Sequence, residues 1–195
     1  YTLLDDIVKY FPSPENREVA GINVRTNEIF QADYDFSKSK SAYIFKTIVD
    51  PFIGKYSLVK ICSGVFKADD LIYNQEKDLE EKVGKLYVLQ GSKPIEVPEL
   101  HAGDIGAIAK LTAARTGNTL STKAMPIRFG KTEISTPYTY MRYKAKNKSD
   151  IDKISQSLQK MMHEDLTLKA VNDSENRPFV ISTRGDSCIS FISLS

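Results

Sequence analysis

The run from Tyr43 to Tyr73, YIFKTIVDPFIGKYSLVKICSGVFKADDLIY, constrains the fold more than any other part of the chain. Two stretches rich in β-branched and aromatic residues, Ile44 to Val49 and Tyr56 to Cys62, flank Asp50-Pro51-Phe52-Ile53-Gly54. Proline fixes φ and glycine admits positive φ, so this cluster interrupts the extended backbone and returns it as a hairpin. Ser63-Gly64 supplies another bend, and Lys67-Ala68-Asp69-Asp70 supplies turn chemistry before Leu71-Ile72-Tyr73. Connections this short predict an antiparallel meander, the pattern of a barrel or a sandwich.

The neighbouring segments extend that pattern. Leu3, Leu4, Ile7, Val8 and Phe11 recur at helical spacing until Pro12-Ser13-Pro14, which predicts one short helix over residues 2–10. The apolar islands Val19 to Val24 and Ile29-Phe30 read as a linker becoming the first strands of the barrel. A strand is expected near Gly84 to Leu89, with Gly84 at a bulge or corner, and the barrel is expected to close through Gly103 to Leu111 and Met125 to Phe129. The segment TGNTL, opening with Thr116-Gly117-Asn118, is read as a turn. From Thr132 the grammar changes. Pro137 to Tyr143 reads as a strand, Ser149 as the N-cap of a helix with the stripe Ile151, Ile154, Leu158, Met161 and Met162, and Leu166 to Val171 with Pro178 to Thr183 as a hairpin. Strand, helix, strand, strand is three quarters of a ferredoxin-like unit.

A length of 195 residues holds one large domain or two small ones. No apolar run approaches the roughly 20 residues that span a bilayer, and no leader pattern stands at the start, so no membrane role and a cytoplasmic location are expected. The chain opens at Tyr1, not methionine, which reads as a piece of a longer protein. Cys62 and Cys188 sit apart in apolar surroundings and read as buried hydrophobes; His101 and His163 lack partners at ligand spacing, so no metal site is expected. No Ser-His-Asp, Cys-His or paired-carboxylate set can be assembled, and a catalytic role for this chain is not expected. Asn147-Lys148-Ser149-Asp150 has the form of a guanine-reading motif, but the phosphate-binding loop it requires is missing, because Met125 stands where the glycine before Gly130-Lys131-Thr132 belongs. No cofactor is expected here.

Net charge is only +2, yet it is unevenly spread. Residues 38–60 hold five Lys against one Asp, and residues 101–131 hold five Lys or Arg against one Asp, a balance of +4 in each; residues 67–100 carry five Lys against eight acids. The basic stretches place Lys38, Lys40, Lys46, Lys55, Lys60, Lys110 and Arg115 as candidates for a phosphate backbone, acting mainly through counterion release.

Four motifs in one order, DPFIGK, SGVFKADD, AGDIGAIAKL and TGNTL, resemble the barrel that follows the GTP-binding domain in elongation factor G, the ribosomal translocase. The helix ending in Pro-Ser-Pro resembles the tail of that GTP-binding domain, and the second unit resembles the family's third domain. In the family the second hairpin strand runs into Gly-Met-Gly-Glu-Leu-His; here Thr183-Arg184-Gly185-Asp186-Ser187-Cys188 keeps the glycine and the acid and departs elsewhere. The resemblance implies a mainly β plus α+β chain: a six-stranded-type translation-factor β-barrel followed by a truncated ferredoxin-like (βαββ) domain. Its expected divisions are residues 1–20 as tail helix and linker, 21–130 as barrel, and 131–195 as truncated third domain.

It further implies a non-catalytic part of a ribosome-dependent GTPase used in protein biosynthesis. GTP and magnesium would belong to the missing domain, and the partners would be small-subunit RNA, a ribosomal protein and that GTP-binding domain. By the matching motif, ribosome contact is expected at Asp50, Pro51, Phe52, Gly54 and Lys55, supported by Lys46, Lys60, Lys110 and Arg115. A tetracycline-resistance ribosomal protection protein shares this layout and is the nearest alternative. A stand-alone RNA-binding module or a flavin-type barrel enzyme are the others; the flavin enzyme would be coloured when pure.

Overall fold

The computed structural model describes residues 2–50, 54–91, 93–130, 136–137, 139–143, 150–172 and 179–183. The chain divides into two compact units, Tyr1–Lys131 and Thr132–Ser195. In the first, the elements are α1 (Thr2–Tyr10), a 3-10 turn (Pro14–Asn16), β1 (Ala20–Asn23), β2 (Ile29–Gln31), β3 (Ser41–Asp50), β4 (Gly54–Ser63), β5 (Val65–Lys67), β6 (Leu71–Asn74), β7 (Leu79–Lys82), β8 (Leu86–Gln90), β9 (Lys93–Val97), β10 (Glu99–His101), β11 (Ile105–Ala109), β12 (Thr119–Ser121) and β13 (Ile127–Arg128). The helix α1 has the expected length and buries none of its residues. Phe11 N–H closes its last turn on the Ile7 carbonyl, where Pro12 stops propagation.

Eight strands form one sheet in the order β7-β6-β12-β3-β4-β11-β8-β9. In a flat sheet β6 and β8 would lie about 24 Å apart, five strand spacings. Instead Ile72 of β6, Leu120 of β12, Ile44 of β3, Val59 and Ile61 of β4, Ile108 of β11 and Leu86 of β8 pack in one buried cluster, so the sheet curls on itself. The chain itself joins the two sides of the curl. Val83 N–H donates to the Asp70 carbonyl and Asp69 N–H to the Val83 carbonyl, prolonging the β6–β7 pair, and two residues later the Lys85 carbonyl accepts from Ala109 N–H, prolonging the β11–β8 pair. The paired β10 and β5 add Leu100 and Phe66 to the same core. This unit is a β-barrel.

The hairpin of β3 and β4 is its longest element, ten residues a side, with Asp50 opposite Gly54. Pairing slips between Ile44 and Lys46, making Phe45 an extra residue of β3.

Three expectations need correction. Thr119 and Leu120, at the end of the TGNTL segment, do not belong to a turn but, with Ser121, to β12, which joins β3 to β6 in the middle of the sheet. The islands near Val19 and Ile29 do not enter the main sheet: β1 pairs with β2 and β13 in a separate three-stranded sheet, and Met125 to Phe129 therefore does not close the barrel. That small sheet covers the outside of β4, where Ala32, Ile127 and Phe129 bury Cys62. Gly84 lies between β7 and β8 in neither strand, and a Cβ there would stand 3.0 Å from the Ala109 carbonyl oxygen, a close approach at a barrel corner.

The second unit contains β14 (Thr139–Tyr143), α2 (Asp150–Glu164), β15 (Lys169–Asn172) and β16 (Phe179–Thr183), with sheet order β14-β16-β15. Both outer strands run antiparallel to β16 and so parallel to each other, with α2 in the connection between them. This is a split βαβ arrangement, the ferredoxin-like α+β pattern. The predicted stripe of α2 forms the core: Leu158 is buried with Leu168 and Ile181, and Ile151, Ile154, Met161 and Met162 pack against them. Ser149 and residues 184–195, including Gly185 and Cys188, lie outside the described residues.

Candidate nucleic-acid interface

The expected contact residues fall into two groups on the barrel. Asp50 and Gly54 form the last pair of the hairpin, while Pro51 and Phe52 at its tip lie outside the described residues. Gly54 has φ of +90°, and a Cβ added to it would meet nothing within 4 Å, so the backbone turns freely here. The loop of residues 110–118 runs beside this hairpin. Lys110 N–H donates to the Lys55 carbonyl, Gly117 N–H to the Ile44 carbonyl at 2.7 Å, and the Thr47 and Thr116 hydroxyls lie 2.9 Å apart. The loop that carries Lys110 and Arg115 is thereby joined to the hairpin that carries Lys46 and Lys55, and the two segments form one rim of the barrel.

Two elements hold that loop. Its far side rests on Glu81, a residue of β7 that is 8% exposed. One carboxylate oxygen, Oε1, accepts from Thr112 N–H at 2.7 Å, the Thr112 hydroxyl at 2.9 Å and Ala113 N–H at 2.9 Å. Asn118 Oδ1 closes the near side by accepting from Arg115 N–H at 2.9 Å. The Lys55 side chain points into this loop and donates to the Ala114 carbonyl. Burial pulls the Lys55 ammonium below the ordinary lysine value; the Glu81 carboxylate opposes that shift and the Arg115 guanidinium adds to it. Lys55 thus acts as a tie inside the rim.

The cations differ in how far they are already neutralised. Lys38 is paired with Asp33 and donates to the Gln31 carbonyl at 2.7 Å, and Lys40 is paired with Asp70. Lys60 sits five residues along β4 from Lys55, with its ammonium 5.2 Å from the centroid of the Tyr34 ring, on a different part of the barrel. Lys46, Lys110 and Arg115 are exposed and make no ion pair with a described residue. They are the side chains on the rim available to an external phosphate. Glu81 and Thr112 were not marked by the sequence pattern; an acid in the run Leu79-Glu80-Glu81-Lys82 gives no local sign that it faces inward.

Elsewhere the chemistry is structural. His101 Nε2 lies 3.1 Å from Glu99 Oε1, and its ring meets Phe36 edge-on with centroids 5.8 Å apart. Cys62 is buried and its thiol is pushed up to about 11, chiefly by desolvation. Among the described residues no group of three or more His, Cys, Asp or Glu is placed to hold a metal ion, and no helix is long and apolar enough to cross a membrane.

A curled barrel with a cationic rim, followed by a split βαβ unit, is the layout of the auxiliary domains of a translation factor. Residues 39–123 match the family model for elongation factor G domain 2, and residues 134–192 match that for elongation factor G, domain III. A crystal structure from Thermus thermophilus has the same fold, with a TM-score of 0.71 at 21% identity over 98% of this chain. This chain spans 26% of that one's length. The chain belongs to the elongation factor G family and carries its non-catalytic domains II and III.

Proposed function

We propose that these two domains contact the ribosome during translocation in protein synthesis, with the barrel rim turned toward RNA of the small subunit. The reading is carried by the consecutive domain II and domain III matches. The rim supports it: Lys46, Lys110 and Arg115 are exposed and without an ion pair to a described residue, beside the hairpin that holds the family's contact motif, while other lysines nearby are tied to acids. The contact proposed for that hairpin comprises Asp50, Pro51, Phe52, Gly54 and Lys55, and Lys60, over the Tyr34 ring elsewhere on the barrel, would add a separate positive point. The divisions proposed are residues 1–20 as the end of a GTP-binding domain, 21–130 as domain II and 131–195 as domain III. The parent would be a cytoplasmic, ribosome-dependent GTPase that binds GTP and magnesium outside this segment, and domain III would face a ribosomal protein and that GTP-binding domain.

Co-sedimentation of the chain with purified small and large ribosomal subunits tests this reading. Preferential pelleting with small subunits is expected, and excess full-length elongation factor G should displace it. Equal retention on both subunits, or none at low salt, would contradict it.

A further inference from the structure

Among the described residues of the hairpin, one aromatic side chain is left exposed by the barrel. Phe45 is 41% exposed and sits at the slip in β3–β4 pairing, between buried Ile44 and exposed Lys46. Without the slip, strict alternation would put Phe45 and Lys46 on opposite faces of the sheet. The extra residue leaves both outside the core. On the other side of β3 stands Gly117, bonded through its N–H to the Ile44 carbonyl, and a Cβ placed on it would meet nothing within 4 Å. Thr116, bonded to Thr47, is followed back along the chain by Arg115. The exposed ring therefore has Lys46 next to it along β3 and, on the other side of the strand, the loop that carries Arg115, two cations without an acidic partner among the described residues.

We infer that Phe45 is a stacking platform for an unstacked RNA base, with Lys46 and Arg115 holding the phosphates on either side of that nucleotide. This rests on the reading of the rim as an RNA contact and narrows it to a partner with a splayed-out nucleotide, such as a loop or bulge. The charge complementarity selects a nucleic acid over an apolar peptide. The ring selects a single-stranded base, because in a continuous duplex the base faces are covered by their neighbours and only phosphates are offered. Stacking is sequence-tolerant, so no base preference is expected.

The test uses the whole chain and two probes, a single-stranded RNA oligonucleotide carrying 2-aminopurine and a fully paired RNA duplex of the same length. Wild type should quench the 2-aminopurine emission and bind the single strand more tightly. Phe45→Ala should weaken single-strand binding on the order of tenfold and abolish the quenching, leaving duplex binding and the salt slope unchanged. Phe45→Trp should preserve both affinity and quenching. Phe45→Leu, which keeps an apolar side chain but no ring, should behave like alanine, and circular dichroism with thermal melting would confirm that each variant is folded. Lys46→Ala should instead lower the salt slope by about 0.7 on the single strand. If the wild type binds neither probe, the rim reading fails and this inference with it. If salt-dependent binding persists but is indifferent to Phe45→Ala and Phe45→Leu, or if quenching survives both, stacking is refuted while the rim reading stands.

Discussion

Truncating Glu81 to alanine should loosen the rim more than any other single change at its surface. The carboxylate takes three hydrogen bonds on one oxygen and lies beside the half-buried Lys55 ammonium. Hydrogen bonds to a charged group are worth about 1.5–3 kcal/mol each, but that sum overstates the loss. Thr112 is exposed, so water can take over its N–H and hydroxyl; what remains uncompensated is the half-buried Ala113 N–H and a lysine stripped of its counter-charge. The expected destabilisation is about 2–4 kcal/mol. With a urea m-value of roughly 2 kcal/mol per molar, the barrel midpoint should fall by about 1–2 M. Glu81→Gln keeps an acceptor oxygen and should fall between the two. Hydrogen exchange should accelerate first at Ala113 and Gly117. A midpoint shift below about 0.3 M, with unchanged exchange in residues 110–118, would refute the anchoring role.

Other outcomes follow from the same geometry. Gly64→Ala should cost roughly 2–4 kcal/mol, because a Cβ at φ of +70° would stand 2.8 Å from Lys40 Cα and 2.9 Å from the Lys38 carbonyl oxygen, whereas Gly117→Ala, at φ of +88° in open space, should cost only about 1 kcal/mol; chemical denaturation compares them. The Cys62 thiol titrates near 11 when folded against an ordinary 9.0, so the folded chain holds its proton longer, and the resulting stability is present below pH 9 and lost as pH rises toward 11. Over that window Cys62→Ala should remove roughly 2–3 kcal/mol of the decline, measured as the difference between wild-type and variant stability curves. Calorimetry with GTP and magnesium should show no binding, and a stoichiometric micromolar site would contradict the dismissal of Asn147 to Asp150.

The parts of the fold visible in the sequence are those whose signal is local. Alternation and a proline-glycine break mark β3 and β4, and the 3.6-residue stripe marks α2 down to each of its core residues. The strand β12 was hidden because two of its three buried residues carry hydroxyls: on either side of Leu120, Thr119 Oγ1 accepts from Phe129 N–H and Ser121 Oγ from Ile127 N–H, so Thr and Ser serve inside where apolar residues are expected. The sheet of β1, β2 and β13 depends on pairing Ile22 with Arg128, a separation no window of local pattern spans. At the rim, composition found the cations but not their state. Lys55 looks like Lys46 in sequence, and only its bond to the distant Ala114 carbonyl separates a structural tie from a free charge.

The salt dependence of binding to small ribosomal subunits tests the central claim most directly, with wild type compared to a Lys46→Glu, Arg115→Glu double variant. Both side chains are exposed and neither supports the core, so the variant should remain folded. Wild-type affinity should fall steeply between about 50 and 200 mM salt, and the double variant should bind at least roughly tenfold more weakly with its log–log slope reduced by about 1.5. An affinity indifferent to salt, or a double variant with the wild-type slope, would contradict the assignment of this rim to RNA.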